Sequence, residues 1–233
     1  MGIVETIAIS MGLAWASGIN LYATLATLGI LGATGNMILP EHMQILADPA
    51  VIAAAGFMYC VEFFADKTPG VDTTWDTLHT FIRIPAGAVL AAMAMGQVSP
   101  AAELAALIVG GGLAGISHSC KAGTRVLINT SPEPFSNWTA SVTEDVVVIG
   151  GLLTAIYHPS VFIGLLIVFI LLAIWLLPKI WRGVKALFGR LRMAFGGRGT
   201  ATDRANPAAD PQGLFQPALL EAGQSKQDPP KSP

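Results

Sequence analysis

The chain has 233 residues, of which 53% are hydrophobic and only 12% are charged. Soluble domains carry about 25% charged residues, so this composition excludes an ordinary water-soluble enzyme, a disordered protein and a nucleic-acid-binding protein. The remaining class is a polytopic membrane protein. The two cysteines match neither a disulfide framework nor a zinc-ligand spacing.

Six apolar segments are candidates for membrane-crossing helices, which need about 20 residues each. They lie at residues 6–33, 49–67, 78–95, 103–124, 137–157 and 160–177. The first is too long for one straight span and is interrupted at Ser17-Gly18-Ile19-Asn20. This interruption predicts either a kink with Asn20 bonded to a neighbouring helix or a broken helix whose free backbone groups bind ions. The predicted fold class is all-α, with about six membrane helices, some of them broken.

Basic residues set the predicted orientation. The connections at 35–48, 96–102 and 158–159 contain no Lys or Arg, whereas five basic residues follow the last span: Lys179, Arg182, Lys185, Arg190 and Arg192. Because cytoplasmic connections carry excess Lys and Arg, six spans place both termini in the cytoplasm. We therefore divide the chain into a transmembrane domain at 1–178, a basic amphipathic helix on the membrane surface at 179–195 and a disordered cytoplasmic tail at 196–233.

Charged residues within or beside the apolar segments are few and form pairs. Four acidic and four basic residues make up the set that we consider: Glu62, Asp66, Lys67, Arg83, Lys121, Arg125, Glu144 and Asp145. Glu62 and Asp66 share one helix face, as do Lys121 and Arg125, with His118 one turn before Lys121. A charge at the bilayer centre costs about 2.5–3.5 kcal/mol, so these side chains must face each other or water.

Residues 49–100 and 103–159 are a predicted internal repeat with reversed charge. Glu62 and Asp66 are each followed 59 residues later by a basic residue, and Arg83 is followed 61 residues later by Glu144. Two spans separate the units, so both would have the same orientation across the membrane. Glycines between 110 and 115 allow close helix approach, either within one chain or in a homo-oligomer.

Two interpretations of the charged residues remain open. In the first, the protein is a small transporter or channel for an ion or a small charged or zwitterionic solute. Glu62 and Asp66 then bind a cationic group or a coupling proton, Lys121 and Arg125 bind an anionic group, and Arg83 pairs with Glu144 or Asp145 as a gate. In the second, the same pairs only hold two hairpins together in a membrane scaffold or assembly factor.

We assign the functional role to nine residues: Glu62, Asp66, Arg83, Lys121, Arg125, Glu144, Asp145, His118 and Asn20. No motif indicates a catalytic nucleophile, a metal site or a cofactor site, so we expect a non-enzyme, with a lipid-head-group enzyme as a weaker third option. The expected partners are the lipid bilayer, a small charged solute and, in the oligomeric alternative, a second copy of the chain. Nucleic acid is not an expected partner.

Several of these motifs resemble a known family. They lie at residues 17–25, 62–72, 75–76, 79–87 and 141–145, together with Lys121, Arg125 and Ser131-Pro132. They are similar to the signature of DUF4126, a bacterial membrane family whose name means domain of unknown function, over roughly residues 1–160. The resemblance implies an integral membrane protein and no particular activity. The expected location is the inner, cytoplasmic membrane of a bacterium.

Overall fold

The computed structural model describes residues 2–68, 70–96, 98–130 and 134–196. Within these ranges the chain is helical and has no strand, which confirms the all-α class. The helices are α1 Ile3–Ile19, α2 Leu21–Ala33, a 3-10 helix Glu41–Ala47, α3 Pro49–Ala65, α4 Val71–Met95, α5 Pro100–Ile128, α6 Pro134–Tyr157 and α7 Pro159–Gly196. Apart from Gly196, the predicted tail lies outside the described residues.

Proline marks the start of four helices, because its missing N–H is not needed in the first turn. Asp48 and Ser99 cap α3 and α5 by accepting hydrogen bonds from the backbone amides of Ala50 and Ala102. Gly70 precedes α4 with a φ of +85°, a conformation that glycine adopts without strain. As a result α4 begins at Val71, seven residues earlier than the sequence predicts, and it includes the polar stretch 71–77.

Among the described residues, four helices are long and apolar enough to cross a membrane: α4, α5, α6 and α7. Together with the 3-10 helix, which it meets at an angle of 66°, α3 makes a fifth candidate. Helices α1 and α2 are shorter, with 17 and 13 residues, and Asn20 separates them. The predicted interruption of the first span is therefore a complete break at Asn20.

Helices α1 and α2 form a hairpin rather than one crossing. At the start of α1, Thr6 lines a crevice together with Leu39, Ala94 and Val98. Near the end of α2, Gly32 packs against Leu39 and Ala47. The start of α1 and the end of α2 therefore both lie level with the end of α4 and the start of α3. We call this level the far end of the bundle. The apex at Asn20 points into the protein.

Small residues let α1 occupy the centre of the bundle. Eleven of its 17 residues are buried, and it packs against α4, α5 and α6. A Cβ added to Gly18 would collide with the Ala114 carbonyl oxygen of α5, and one added to Gly151 of α6 would collide with Trp15. Close contact of this kind is how helices associate where water is excluded.

The hairpins α3–α4 and α5–α6 both turn at the end opposite the far end, which we call the turn end. Helix α7 reaches the same level, because Ile180 packs against Gly123 and Gly183 packs against Leu127. One helix, α7, thus contains both the sixth predicted span and the basic segment 179–195. The chain divides into two compact units, Met1–Ala186 and Leu187–Pro233, and every tertiary contact described below belongs to the first.

Candidate functional site

Seven charged side chains form one buried ion-pair network near the turn end. They are Glu62, Asp66, Asp76, Arg83, Lys121, Arg125 and Glu144. Helices α3 to α6 each contribute at least one member, Asp66 lying just past the end of α3. At 1.5 Å per residue, Glu62 and Arg83 are about 20 Å from the far ends of their helices.

The ammonium group of Lys121 is the centre of this network. Its Nζ atom lies 2.8 Å from Asp66 and 3.3 Å from Glu62. It also lies 3.6 Å from both Asp76 and Glu144, so all four carboxylates of the network are within 4 Å of one cation. The Lys121 side chain is 2% exposed. Such a charge is tolerated in a protein interior only when it is paired and hydrogen-bonded.

Arg83 joins α4 to α3. Its Nη2 atom is 2.5 Å from Glu62 Oε1, and its Nη1 atom is 2.8 Å from Asp76 Oδ1. The predicted pairing of Arg83 with Glu144 or Asp145 is therefore wrong. Asp76 lies seven residues before Arg83 on the same helix face, and the guanidinium group bridges it to α3 instead of reaching α6.

Arg125 is the partner of Glu144. Its Nε and Nη2 atoms donate to the two carboxylate oxygens at 3.2 and 2.7 Å, the two-point geometry that arginine favours with carboxylates. Its Nη1 atom donates to the carbonyl oxygens of Asp66 and Asn137. The acidic face of α3 meets the basic face of α5, as in the second of the two interpretations left open above, with Arg125 Nη2 3.7 Å from Asp66.

The hairpin apex touches the network through both of its helix ends. At the end of α1, the free carbonyl oxygen of Ile19 accepts a hydrogen bond of 3.1 Å from Lys121 Nζ. At the start of α2, Asn20 Oδ1 caps the helix at the amide of Ala23, and Asn20 Nδ2 donates to Asp145 at 3.0 Å. A cation at a helix C-terminus and an anion beside a helix N-terminus are the arrangements that the helix dipole favours.

Two further polar clusters flank the network. In the first, Asn129 Nδ2 donates to both carboxylate oxygens of the buried Asp72, and Asn137 Nδ2 donates to Asn129 Oδ1. In the second, His118 Nε2 and Thr80 Oγ1 are 2.7 Å apart, and His118 Nδ1 lies 3.5 Å from Arg83 Nη1. The clusters extend the polar interior to the α3–α4 turn and to the surface beside α7.

Lys67 does not join the network. Its Nζ atom lies over the ring of Phe63 and donates to the carbonyl of Phe63 and to Ser141 Oγ. The side chain packs between the end of α3 and the start of α6. It thereby connects the two hairpins through neutral groups.

The network holds more negative than positive charge. Its four carboxylates face three cations, which leaves one excess negative charge when all are ionised. Among the described residues, three buried carboxylate oxygens have no hydrogen-bond partner: Glu62 Oε2, Asp66 Oδ1 and Asp76 Oδ2. Buried charge of this kind is costly, so the network has both the charge and the free acceptors to take up a proton or a small cation.

The structure brings all nine predicted residues to this region, seven of them within or beside the charge clusters and Asn20 and Asp145 at the hairpin apex. Sequence reasoning missed Asp76 and Asp72, because it began the third span at residue 78 and left residues 71–77 outside it. Their spacing was available as a signal, since Asp72, Asp76 and Arg83 fall on one face of a helix that begins at Val71. Among the described residues, no group of three or more His, Cys, Asp or Glu side chains has a metal-binding arrangement.

Comparison with known proteins adds a family but no activity. No curated protein and no solved structure matches the chain significantly. A family model described as "Domain of unknown function (DUF4126)" matches residues 7–179. The match extends through the sixth predicted span, which the sequence resemblance left outside, and it stops where the basic segment begins. The chain therefore belongs to the DUF4126 family.

Proposed function

We propose that this protein is a small membrane transporter or channel for an ion or a small charged or zwitterionic solute, and that it is not an enzyme. The ion-pair network is its binding site. A solute cation or a coupling proton binds at Glu62, Asp66 and Asp76, and an anionic group exchanges onto Lys121 or Arg125. The gate is the contact of Arg83 with Glu62 and Asp76, in place of the pairing with Glu144 or Asp145 expected from the sequence.

The observation that carries this proposal is the hairpin apex at the network. A helix that ends inside a membrane protein leaves backbone carbonyl and amide groups free, and transporters place such ends at their ion and substrate sites. Here the carbonyl of Ile19 binds the central ammonium group, and Asn20 binds Asp145. Helix α1, with 11 of its 17 residues buried, thus ends at the level of the charges.

The excess negative charge of the network favours a cation as the transported or coupled ion. Each of Glu62, Asp66 and Asp76 keeps one free, buried oxygen while its other oxygen binds a cation. A proton or a monovalent cation at these oxygens neutralises the network and loosens the hold on Arg83 and Lys121. Release of those two side chains is the step that we assign to gating.

We also propose the orientation. Lys179, Arg182 and Lys185, the first basic residues of α7, and both hairpin turns lie at the turn end, so the positive-inside rule puts that end in the cytoplasm. The start of α1 and the α2–α3 connection lie at the far end, on the opposite side. Five crossings and one re-entrant hairpin then replace six crossings, and the start of the chain moves from the cytoplasmic to the outer side of a bacterial inner membrane.

Flux measurements on the purified full-length protein in liposomes test the proposal. The panel is H⁺, Na⁺, K⁺ and a zwitterionic amino acid, followed with entrapped dyes or radiolabel. We expect protein-dependent flux of at least one of them and a tenfold or greater loss in Glu62→Gln, which removes the charge but keeps the shape. The matched control is Glu103→Gln, the same change at an exposed position at the far end of α5.

The absence of flux and of any ligand-induced thermal shift over this panel would reject the proposal. An equal flux in Glu62→Gln and in the wild type would also reject it, since the network could not then be the site. Circular dichroism and gel filtration of both variants check that folding is retained.

The second candidate function is a membrane scaffold or assembly factor. The observation that favours it is the pairing of the cations, since Arg83, Lys121 and Arg125 each contact at least two carboxylates and together link helices α3 to α6. In that case a partner complex isolated from native membranes would depend on residues 179–233. Loss of such a complex on their deletion, in a protein without flux, would favour the scaffold.

A further inference from the structure

We propose that a groove between α5 and α7 binds one anionic phospholipid of the cytoplasmic leaflet, with an acyl chain in the groove and the phosphate at Arg182 and Lys185. The groove has a volume of about 790 Å³. Ligand pockets commonly measure about 300–1,000 Å³. This proposal does not depend on the transport function.

The groove is apolar along its length and polar at its base. Pro178, Trp181 and Val184 line it on α7, and Ala122 and Val126 line it on α5. Such a lining suits a hydrocarbon chain. At the base lie Thr80 and His118, and a hydrogen bond of 2.7 Å joins Thr80 Oγ1 to His118 Nε2.

Basic side chains contact the lining of this groove. Arg182 Nε donates to the carbonyl oxygen of Pro178 at 3.3 Å, and Lys185 Nζ lies 5.3 Å from the centre of the Trp181 ring. Both side chains are exposed, and neither forms an ion pair within the described part of the chain. An apolar groove beside unpaired cations is complementary to a lipid with an acyl chain and an anionic head group.

The position along α7 selects a membrane lipid as the occupant. Residues 160–177 carry no charge, and the basic residues begin at Lys179. The groove therefore spans the point at which α7 passes from hydrocarbon to head groups. An interfacial tryptophan, Trp181, stands at the same level, as is usual at a membrane boundary.

The test uses the full-length protein purified in detergent, with native mass spectrometry as the readout. Phosphatidylglycerol and phosphatidylcholine with identical acyl chains are the probes. We expect one retained phosphatidylglycerol per chain and at least tenfold weaker binding of phosphatidylcholine. The double variant Arg182→Gln/Lys185→Gln should weaken phosphatidylglycerol binding about 25-fold, at about fivefold for each cation removed.

The matched control is Lys179→Gln/Arg190→Gln, which removes the same charge from the same helix. Lys179 lies over Trp175, outside the groove, so we expect a change of twofold or less. An equal loss of phosphatidylglycerol binding in the two double variants would mean that the basic residues attract anionic lipid without a specific site, and it would overturn the proposal. Equal binding of phosphatidylcholine by the wild type would overturn it as well.

A second pair of variants tests the groove without changing charge. Ala122→Phe fills it and should abolish the retained phosphatidylglycerol. A Cβ added at Gly112 on the same helix meets nothing within 4 Å, so Gly112→Phe should leave binding unchanged. Unchanged lipid binding in Ala122→Phe would contradict an acyl-chain site. This pair and the lipid comparison decide the question even where the arginine–lysine variant fails to fold.

Discussion

At the scale of single residues, Lys121 decides whether the polar interior is tolerable. Its one ammonium group lies within 4 Å of four carboxylates and also binds the Ile19 carbonyl. Removing it would leave four acidic groups close together with only two arginines between them. Breaking a buried ion pair commonly costs about 3–5 kcal/mol because an uncompensated charge remains.

We therefore predict that Lys121→Met lowers the free energy of unfolding by about 3–5 kcal/mol or prevents folding. The control is Lys179→Met, the same substitution at an exposed site, for which we expect a change below about 1 kcal/mol. Thermal and denaturant unfolding in mild detergent measures both. Similar losses in the two variants would show that the network contributes no particular stability.

The corrected pairing makes a second prediction. Arg125→Glu and Glu144→Arg should each destabilise the protein, and the double variant should recover part of the loss because the two-point contact re-forms in reverse. Arg83→Glu with Glu144→Arg should show no such recovery, since those two side chains do not form an ion pair. A double-mutant cycle on unfolding temperature distinguishes the two, and recovery only in the Arg83 pair would contradict the network.

At the scale of elements, glycines position the broken hairpin against the helices around it. Gly18 of α1 meets Ser117 and Ala114 of α5, while Gly87 of α4 and Gly151 of α6 meet Ser17 and Trp15 of α1. The last two glycines are 64 residues apart, close to the spacing of the predicted charge repeat. The repeat stays a prediction, although both of its hairpins turn at the same end of the bundle.

Gly18→Ala tests this packing. The new Cβ would collide with a backbone carbonyl oxygen, which cannot move away as a flexible side chain can, so we predict a loss of about 1–3 kcal/mol. Gly112→Ala is the control on α5, where nothing lies within 4 Å and the better helix propensity of alanine should stabilise by up to about 1 kcal/mol. The two changes should thus have opposite signs in thermal unfolding, and equal signs would argue against close contact at Gly18.

At the scale of the whole molecule, the α1–α2 hairpin sets the number of crossings. Counting apolar segments gives six, and the positive-inside rule then puts both termini on one side. Because α1 and α2 enter and leave at the far end, the start of α1 and the α5–α6 turn lie at opposite ends of the bundle. In the orientation that we propose, the rule is unchanged, but it applies to five crossings instead of six.

Cysteine labelling checks this topology. In a background with Cys60 and Cys120 replaced by serine, we introduce single cysteines at three exposed positions: Gly2, Asn36 and Thr130. A membrane-impermeant maleimide should label the first two in intact cells and the third only after permeabilisation. Labelling of positions 2 and 130 from the same side would support six crossings and contradict the hairpin.

The sequence by itself determined the membrane class, the all-α fold and most members of the charge network. Scarcity of charge is the reason, because the few ionisable residues in apolar segments have to meet each other. The i, i+4 spacing of Glu62 with Asp66, and of Lys121 with Arg125, was enough to predict an acidic face and a basic face that had to meet each other or water. These inferences need only composition and helical periodicity.

Only the tertiary structure decided the pairing of Arg83, the inclusion of Asp76 and the return of α2 to the far end. Pairing depends on which helices are neighbours and on where α4 begins, and the backbone at Gly70 sets that start. A break at Asn20 is visible in the sequence, but the direction of the chain after it is not. The packing of α2 against α3 sets that direction. This packing buries apolar surface of α2 that would not contact α3 if the first span continued straight past Asn20.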